Sequence, residues 1–181
     1  MKKVISFVRK YTYIFILAAI IGWLYEVYIF WWNGKGILNR GFLYGPYLPV
    51  YGFGGVVLVL ILNRLIKKKL NLWKINIMPI FVFIIIGLIA TIVEYIAHFI
   101  LDTYFGILLW DYSEQFMNLN GRVCLDASLN FAIVGFAAIY VVMPLLAKLG
   151  KNIKMKTKDF LLIASLLVIS IDFLFVIIGK R

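Results

Sequence analysis

Apolar residues along this chain do not alternate with polar ones; they run together in blocks. Four stretches of about 20 residues or more carry almost no charge and a fifth is slightly shorter, which matches the length an α-helix needs to cross a ~30 Å hydrocarbon layer. The blocks predict spans over 11–30, 50–66, 77–101, 125–146 and 160–178. Backbone N–H and C=O groups facing lipid cannot go unpaired, so each block should be helical. The expected fold class is an all-α integral membrane protein, a bundle of about five transmembrane helices forming a single transmembrane domain over 1–181. Tyr11, Tyr13, Trp31, Trp32, Trp73 and Trp110 fall near the block ends, where amphipathic rings suit the headgroup layer.

Composition agrees, with 64% hydrophobic and 15% charged residues against roughly 45–50% and 25% in a soluble domain. The net charge of +11 points away from nucleic acid once the basic residues are placed. Lys2, Lys3, Arg9 and Lys10 precede the first span. Arg64, Lys67, Lys68, Lys69 and Lys74 follow the second, and Lys148, Lys151, Lys154, Lys156 and Lys158 follow the fourth. Thus 14 of the 19 lie in alternate connections, the positive-inside pattern, which predicts a cytoplasmic N-terminus in the cell membrane. These clusters can also meet anionic headgroups. The basic start and apolar run resemble a signal peptide, but the run is long, lacks a small-x-small cleavage site and continues through Glu26; it is expected to be retained. The single cysteine, Cys124, excludes an internal disulfide and a cysteine-based zinc site, and reads as a small residue packed at a helix start.

The two outer connections hold the turn chemistry. Gly34, Gly36, Gly41, Gly45, Pro46, Pro49, Gly52 and Gly54 crowd the first, and Gly106 and Gly121 mark the second. Beside Phe42, Leu43, Tyr44 and Leu48, this density suits either a re-entrant loop or an interfacial one; irregular backbone at membrane depth must pack on protein or line a cavity. The two hairpins also share a layout: Glu26 precedes Asn39, Arg40 and Gly41, and Glu94 precedes Asn120, Gly121 and Arg122. Parallel duplication and chance both remain open.

Glu26 and Glu94 are candidate chemistry because an ionised carboxylate near the bilayer centre costs roughly 2.5–3.5 kcal/mol on insertion scales and therefore seeks the bundle interior and a partner. Pairing with Arg40 and Arg122 is expected, in either order; such pairs could also do no more than fix helix registry. Glu94, His98 and Asp102 recur at intervals of four and share a helix face. That stripe could relay a proton, contact substrate or, with Asp111, Glu114 or Asp126, bind a metal; one helix rarely supplies a whole site, and no metal is assigned. Asp172 lies inside the fifth span, with Ser165, Ser170, a neighbouring helix or protonation as its options. No Walker loop, nucleophile elbow or H-E-x-x-H pair is present, so no cofactor is expected and ATP-derived energy would have to come from another subunit.

The segments Asn39-Arg40-Gly41-Phe42-Leu43-Tyr44-Gly45-Pro46, Pro49-Val50-Tyr51-Gly52-Phe53-Gly54, Trp110-Asp111-Tyr112-Ser113 and Asn118 through Leu125, with Gly22-Trp23-Leu24-Tyr25-Glu26, resemble the bacterial putative ABC-transporter type IV family, or CmpB-like ABC transporter permeases. The resemblance covers about the first 130 residues, and the fifth span carries no recognised motif. Leu48 departs from the cysteine expected in many relatives, and Asn130-Phe131 from an aromatic-glycine pair. The family implies a multi-pass permease-type transport component working with an ATPase in trans. A pathway enclosed by five spans would need a second copy or another subunit.

The expected substrate or gating cluster is Glu26, Asn39, Arg40, Glu94, His98, Asp111, Asn120 and Arg122, framed by loop backbone at Gly41, Gly45, Pro46, Pro49 and Gly52. The alternatives are a non-catalytic partner or regulator of a membrane complex and a membrane-embedded enzyme acting on lipid-linked groups. Expected partners are the lipid bilayer, an ATPase subunit and further copies of the chain.

Overall fold

A computed structural model of the chain describes residues 2–37, 39, 41–72 and 75–179. Helix α1 spans Lys2–Trp32 and α2 spans Pro49–Leu65. A short hairpin of β1 (Asn71–Leu72) and β2 (Ile75–Asn76) leads into α3, Met78–Ile100, which ends in a π turn over Leu101–Phe105. Helix α4 (Leu125–Ala137) runs through a second π turn, Ala138–Val142, into α5 (Met143–Leu149). A 3-10 turn over Gly150–Asn152 precedes α6, Met155–Gly179.

Four helical stretches are long and apolar enough to cross a membrane: Lys3–Trp32, Met78–Phe105, Leu125–Asn152 and Met155–Gly179. The protein is thus an all-α membrane protein. The expected second span is apolar but only 17 residues long, about 25 Å at 1.5 Å per residue. Helix α1 starts well before residue 11, and α6 before residue 160, because the lysine-rich turns continue the helix; lysine is a good helix former whose stem packs on apolar surface while its ammonium reaches water. Pro144 has no N–H to return to the carbonyl four residues back, and the π turn immediately before α5 lies where that ladder is interrupted.

Contacts divide the chain into two units, the first formed by Met1–Val56 with Asn152–Arg181 and the second by Val57–Lys151. In the first, α1 and the start of α2 approach closely. A Cβ on Gly22 would overlap the Tyr51 ring, one on Gly52 would lie 2.7 Å from Phe15, and one on Gly55 2.6 Å from Ala18. Dispersion drives helices together in lipid, and small residues let the backbones near enough to gain it. Ala19, Leu43, Tyr47 and Val176 form the core of this unit. Arg9 and Asp159, 2.9 Å apart, tie the N-terminal parts of α1 and α6. Val176 is the buried residue of α6, while Phe160 and Ile178 are among its many exposed apolar side chains, as a lipid-facing helix requires.

In the second unit Leu62, Val82 and Ile86 are sealed by Leu58, Phe136 and Ile139. Gly87 faces Ala132 and Gly135 faces Ile86, which brings α3 against α4, and the Thr91 hydroxyl donates to Ser128 Oγ at 2.7 Å across that contact. Asn76 Oδ1 accepts from the Leu70 and Met78 N–H groups and so closes the hairpin onto the start of α3. Trp73 and Lys74 lie outside the described residues. Cys124 is buried at the N-cap of α4, its Sγ accepting the Ala127 N–H at 3.4 Å.

Candidate functional site

Each unit contains its own polar cluster. In the first, the chain leaves α1 at Trp32 and turns back until the Leu48 N–H donates to the Ala19 carbonyl at 2.9 Å. Ala19 lies 13 residues below Trp32, roughly 20 Å along the helix. The Gly/Pro-rich connection is therefore re-entrant. The N–H groups of Gly41, Tyr44, Gly45, Tyr47 and Leu48 all find acceptors within the protein, as hydrocarbon demands. Asn39 organises the entry: its Oδ1 accepts from the Trp23 indole N–H at 3.0 Å and the Gly41 N–H at 3.3 Å, and its Nδ2 donates to the Leu43 and Tyr44 carbonyls. Leu43 and Tyr47 are buried beneath it. Gly45 admits no side chain because a Cβ would strike the Tyr47 ring, and Pro49 begins α2, where its missing N–H costs nothing.

Three donors from this loop converge on Asp172 of α6. The Tyr44 N–H reaches Oδ1 at 3.2 Å, and the Gly45 N–H and Tyr47 hydroxyl reach Oδ2 at 2.8 and 2.6 Å. The Tyr47 phenol is the donor in the shortest of these contacts. Higher on α1, Glu26 accepts the Tyr51 hydroxyl at 2.6 Å, and Tyr51 also stands against Tyr25. Arg40, expected to pair with one of the glutamates, lies outside the described residues.

The second cluster stands on α3 and the connection that follows it. Glu94 and His98, one turn apart, are both buried, at 5% and 6% exposure. Glu94 accepts the Tyr112 hydroxyl at 3.2 Å. His98 Nε2 is 3.1 Å from the Trp110 carbonyl, which can only accept, so Nε2 is the donor of this contact; Nδ1 is buried with no hydrogen-bond partner among the described residues. The Trp110 ring meets the imidazole edge-on, and its indole N–H donates to the Arg122 carbonyl. The Arg122 guanidinium stacks on Tyr95 and Phe99 and donates to the Tyr95 hydroxyl at 3.3 Å, which also accepts from Asn120. Its ion pair is with Asp102 at 3.3 Å. The partner of Arg122 is thus the third member of the α3 stripe, whereas Glu94 meets a phenol.

Asp111 turns outward. The Ser113 hydroxyl at 2.6 Å and N–H at 2.9 Å hold its carboxyl below the usual range. Glu114 and Asp126 are exposed. No group of three His, Cys, Asp or Glu side chains among the described residues is placed to hold a metal.

Sequence reasoning overlooked the tyrosines 47, 51, 95 and 112 as partners, and the options it gave Asp172 (Ser165, Ser170, a neighbouring helix or protonation) did not include the loop. The only local signal was compositional, an unusual supply of phenols near intramembrane acids.

A family model described as Putative ABC-transporter type IV matches residues 13–177. The match extends beyond the first 130 residues into α6 and includes Asp172. No curated protein and no solved structure matches the chain.

Proposed function

This chain belongs to the Putative ABC-transporter type IV family, and from that premise we propose that it is the permease-type component of a transporter in the cytoplasmic membrane. Its N-terminus lies inside, and an ATPase subunit in trans supplies the energy. The polar clusters lie toward the outer side, where Glu26, Asn39, Arg40, Glu94, His98, Asp111, Asn120 and Arg122 contact substrate or gate its path.

The observation that carries this reading is the buried pair of Glu94 and His98 within a helix otherwise made for lipid. Intramembrane ionisable groups are expensive and characteristically mark ion and substrate paths. The re-entrant loop supports it as well, since irregular backbone at depth occurs where a cavity or protein surface receives it. Two short basic connections are left to meet an ATPase, and neither has room for a long coupling helix.

The test is gentle purification of the tagged chain from its native membrane, followed by identification of stoichiometric companions. A companion with a Walker loop is expected, and Glu94→Gln should abolish transport by that complex without loss of the companion. A second reading, a non-catalytic assembly partner, draws on the enclosure of Arg122 by Asp102, Tyr95 and Phe99, which suits a purely structural ion pair. Under that reading Arg122→Ala would release a companion that has no nucleotide-binding motif.

A further inference from the structure

We infer that Asp172 is a positioning residue: a catch on α6 that holds the re-entrant segment 41–48 in its docked place. The donors it receives are the consecutive N–H groups of Tyr44 and Gly45 and the hydroxyl of Tyr47. The loop's own organiser, Asn39, serves the carbonyls of Leu43 and Tyr44 and the N–H of Gly41, and Leu48 is served by Ala19. Tyr44 and Gly45 thus look to α6 for an acceptor. Around Asp172 the helical neighbours at three and four residues are Val168, Ile169, Phe175 and Val176, all apolar. Within one turn on that face the carboxylate is the polar exception, and backbone amides and a carboxylate each gain from such a contact in hydrocarbon.

A catch must release without dismantling its support. Helix α6 is tied to α1 by Arg9 and Asp159 at the other end, more than three turns from Asp172. The segment can leave Asp172 while α6 keeps that tie. That the segment then acts as a gate rests on the permease reading above; the catch itself does not.

Hydrogen exchange on the full-length protein in lipid nanodiscs tests the catch. In Asp172→Ala, exchange over 41–48 should quicken roughly tenfold or more while α3 is unchanged, because only the local opening free energy falls. Asp172→Glu, which keeps the carboxylate, should recover part of the protection, and Tyr47→Phe should quicken exchange by a smaller factor of about three. Unchanged exchange over 41–48 in both Asp172→Ala and Tyr47→Phe overturns the catch, as does a uniform rise across all helices. If Asp172→Ala yields no folded protein, Tyr47→Phe decides alone. Opening of 41–48 without any change in ATP hydrolysis by a co-purified ATPase would overturn the gate and leave the catch. Absence of an ATPase would instead count against the permease reading.

Discussion

The connection between α1 and α2 returns about 20 Å along α1, with its backbone on Ala19, whereas the one between α3 and α4 reaches back about 16 Å along α3, to Glu94, through the Tyr112 side chain. The two are built differently. The deep loop takes partners from helices: Ala19 for Leu48, Trp23 for Asn39, Asp172 for Tyr44, Gly45 and Tyr47. The other loop closes its backbone on itself, Tyr112 N–H donating to Gly121 and Leu119 N–H to Val123, with the Ser113 hydroxyl donating to Asp111, and it meets α3 through contacts that each use a side chain. It also places Met117, Asn120 and Gly121 at positive φ. Water near the interface can satisfy what an irregular turn leaves over; hydrocarbon cannot. The acids follow the same rule. Glu26, Glu94 and Asp172 each receive a tyrosine hydroxyl, while the Arg122–Asp102 ion pair is found where Asp102 is 40% exposed.

The contrast can be broken most severely at Gly22. A valine there must displace the Tyr51 ring and with it the seat of Glu26, and should cost about 3 kcal/mol or more; folded yield in detergent should collapse, and exchange in the first unit should rise before that in the second. Arg122→Lys is next, a loss of about 1–2 kcal/mol, because an ammonium keeps the charge but not the planar stacking on Tyr95 and Phe99. Thermal unfolding should show it, with protection of 41–48 retained. Cys124→Ala should cost about 0.5–1 kcal/mol by removing the α4 cap, whereas Cys124→Ser should stay near neutral, since a hydroxyl caps at least as well. The smallest effect concerns Asp111. Its folded pKa lies below the unfolded value, so its contribution is present above pH ~3.8 and is lost as pH falls through the folded pKa. Asp111→Asn should remove that acid-side loss, read as flatter stability of the loop between α3 and α4 between pH 5 and pH 3.

The helices were legible because lipid imposes a long unbroken apolar block, and the expected spans fall within or nearly within the observed elements. The π turns were not. Each changes local winding without altering composition. Asn39 and Trp110 could be singled out by motif, but their partners could not. Asp172 shows the limit most clearly: its loop donors are up to 128 residues away in sequence, and no periodicity encodes a contact between a turn and the far end of the chain. Trp73, Lys74 and Arg40, prominent in the sequence, lie outside the described residues.

The first unit is discontinuous, and that imposes an order of events on a ribosome. Its N-terminal part, with the re-entrant loop, is made early, but the acceptor for Gly45 follows 127 residues later. At about 5–20 residues per second, the loop exists for roughly 6–25 s of synthesis before Asp172 is made. During that interval the Tyr44 and Gly45 amides must rely on water or on the insertion machinery. A chain truncated before α6 should therefore carry a loop held on α1 by Ala19 and Trp23 but without its Asp172 acceptor, which makes α6 the step that completes the first hairpin.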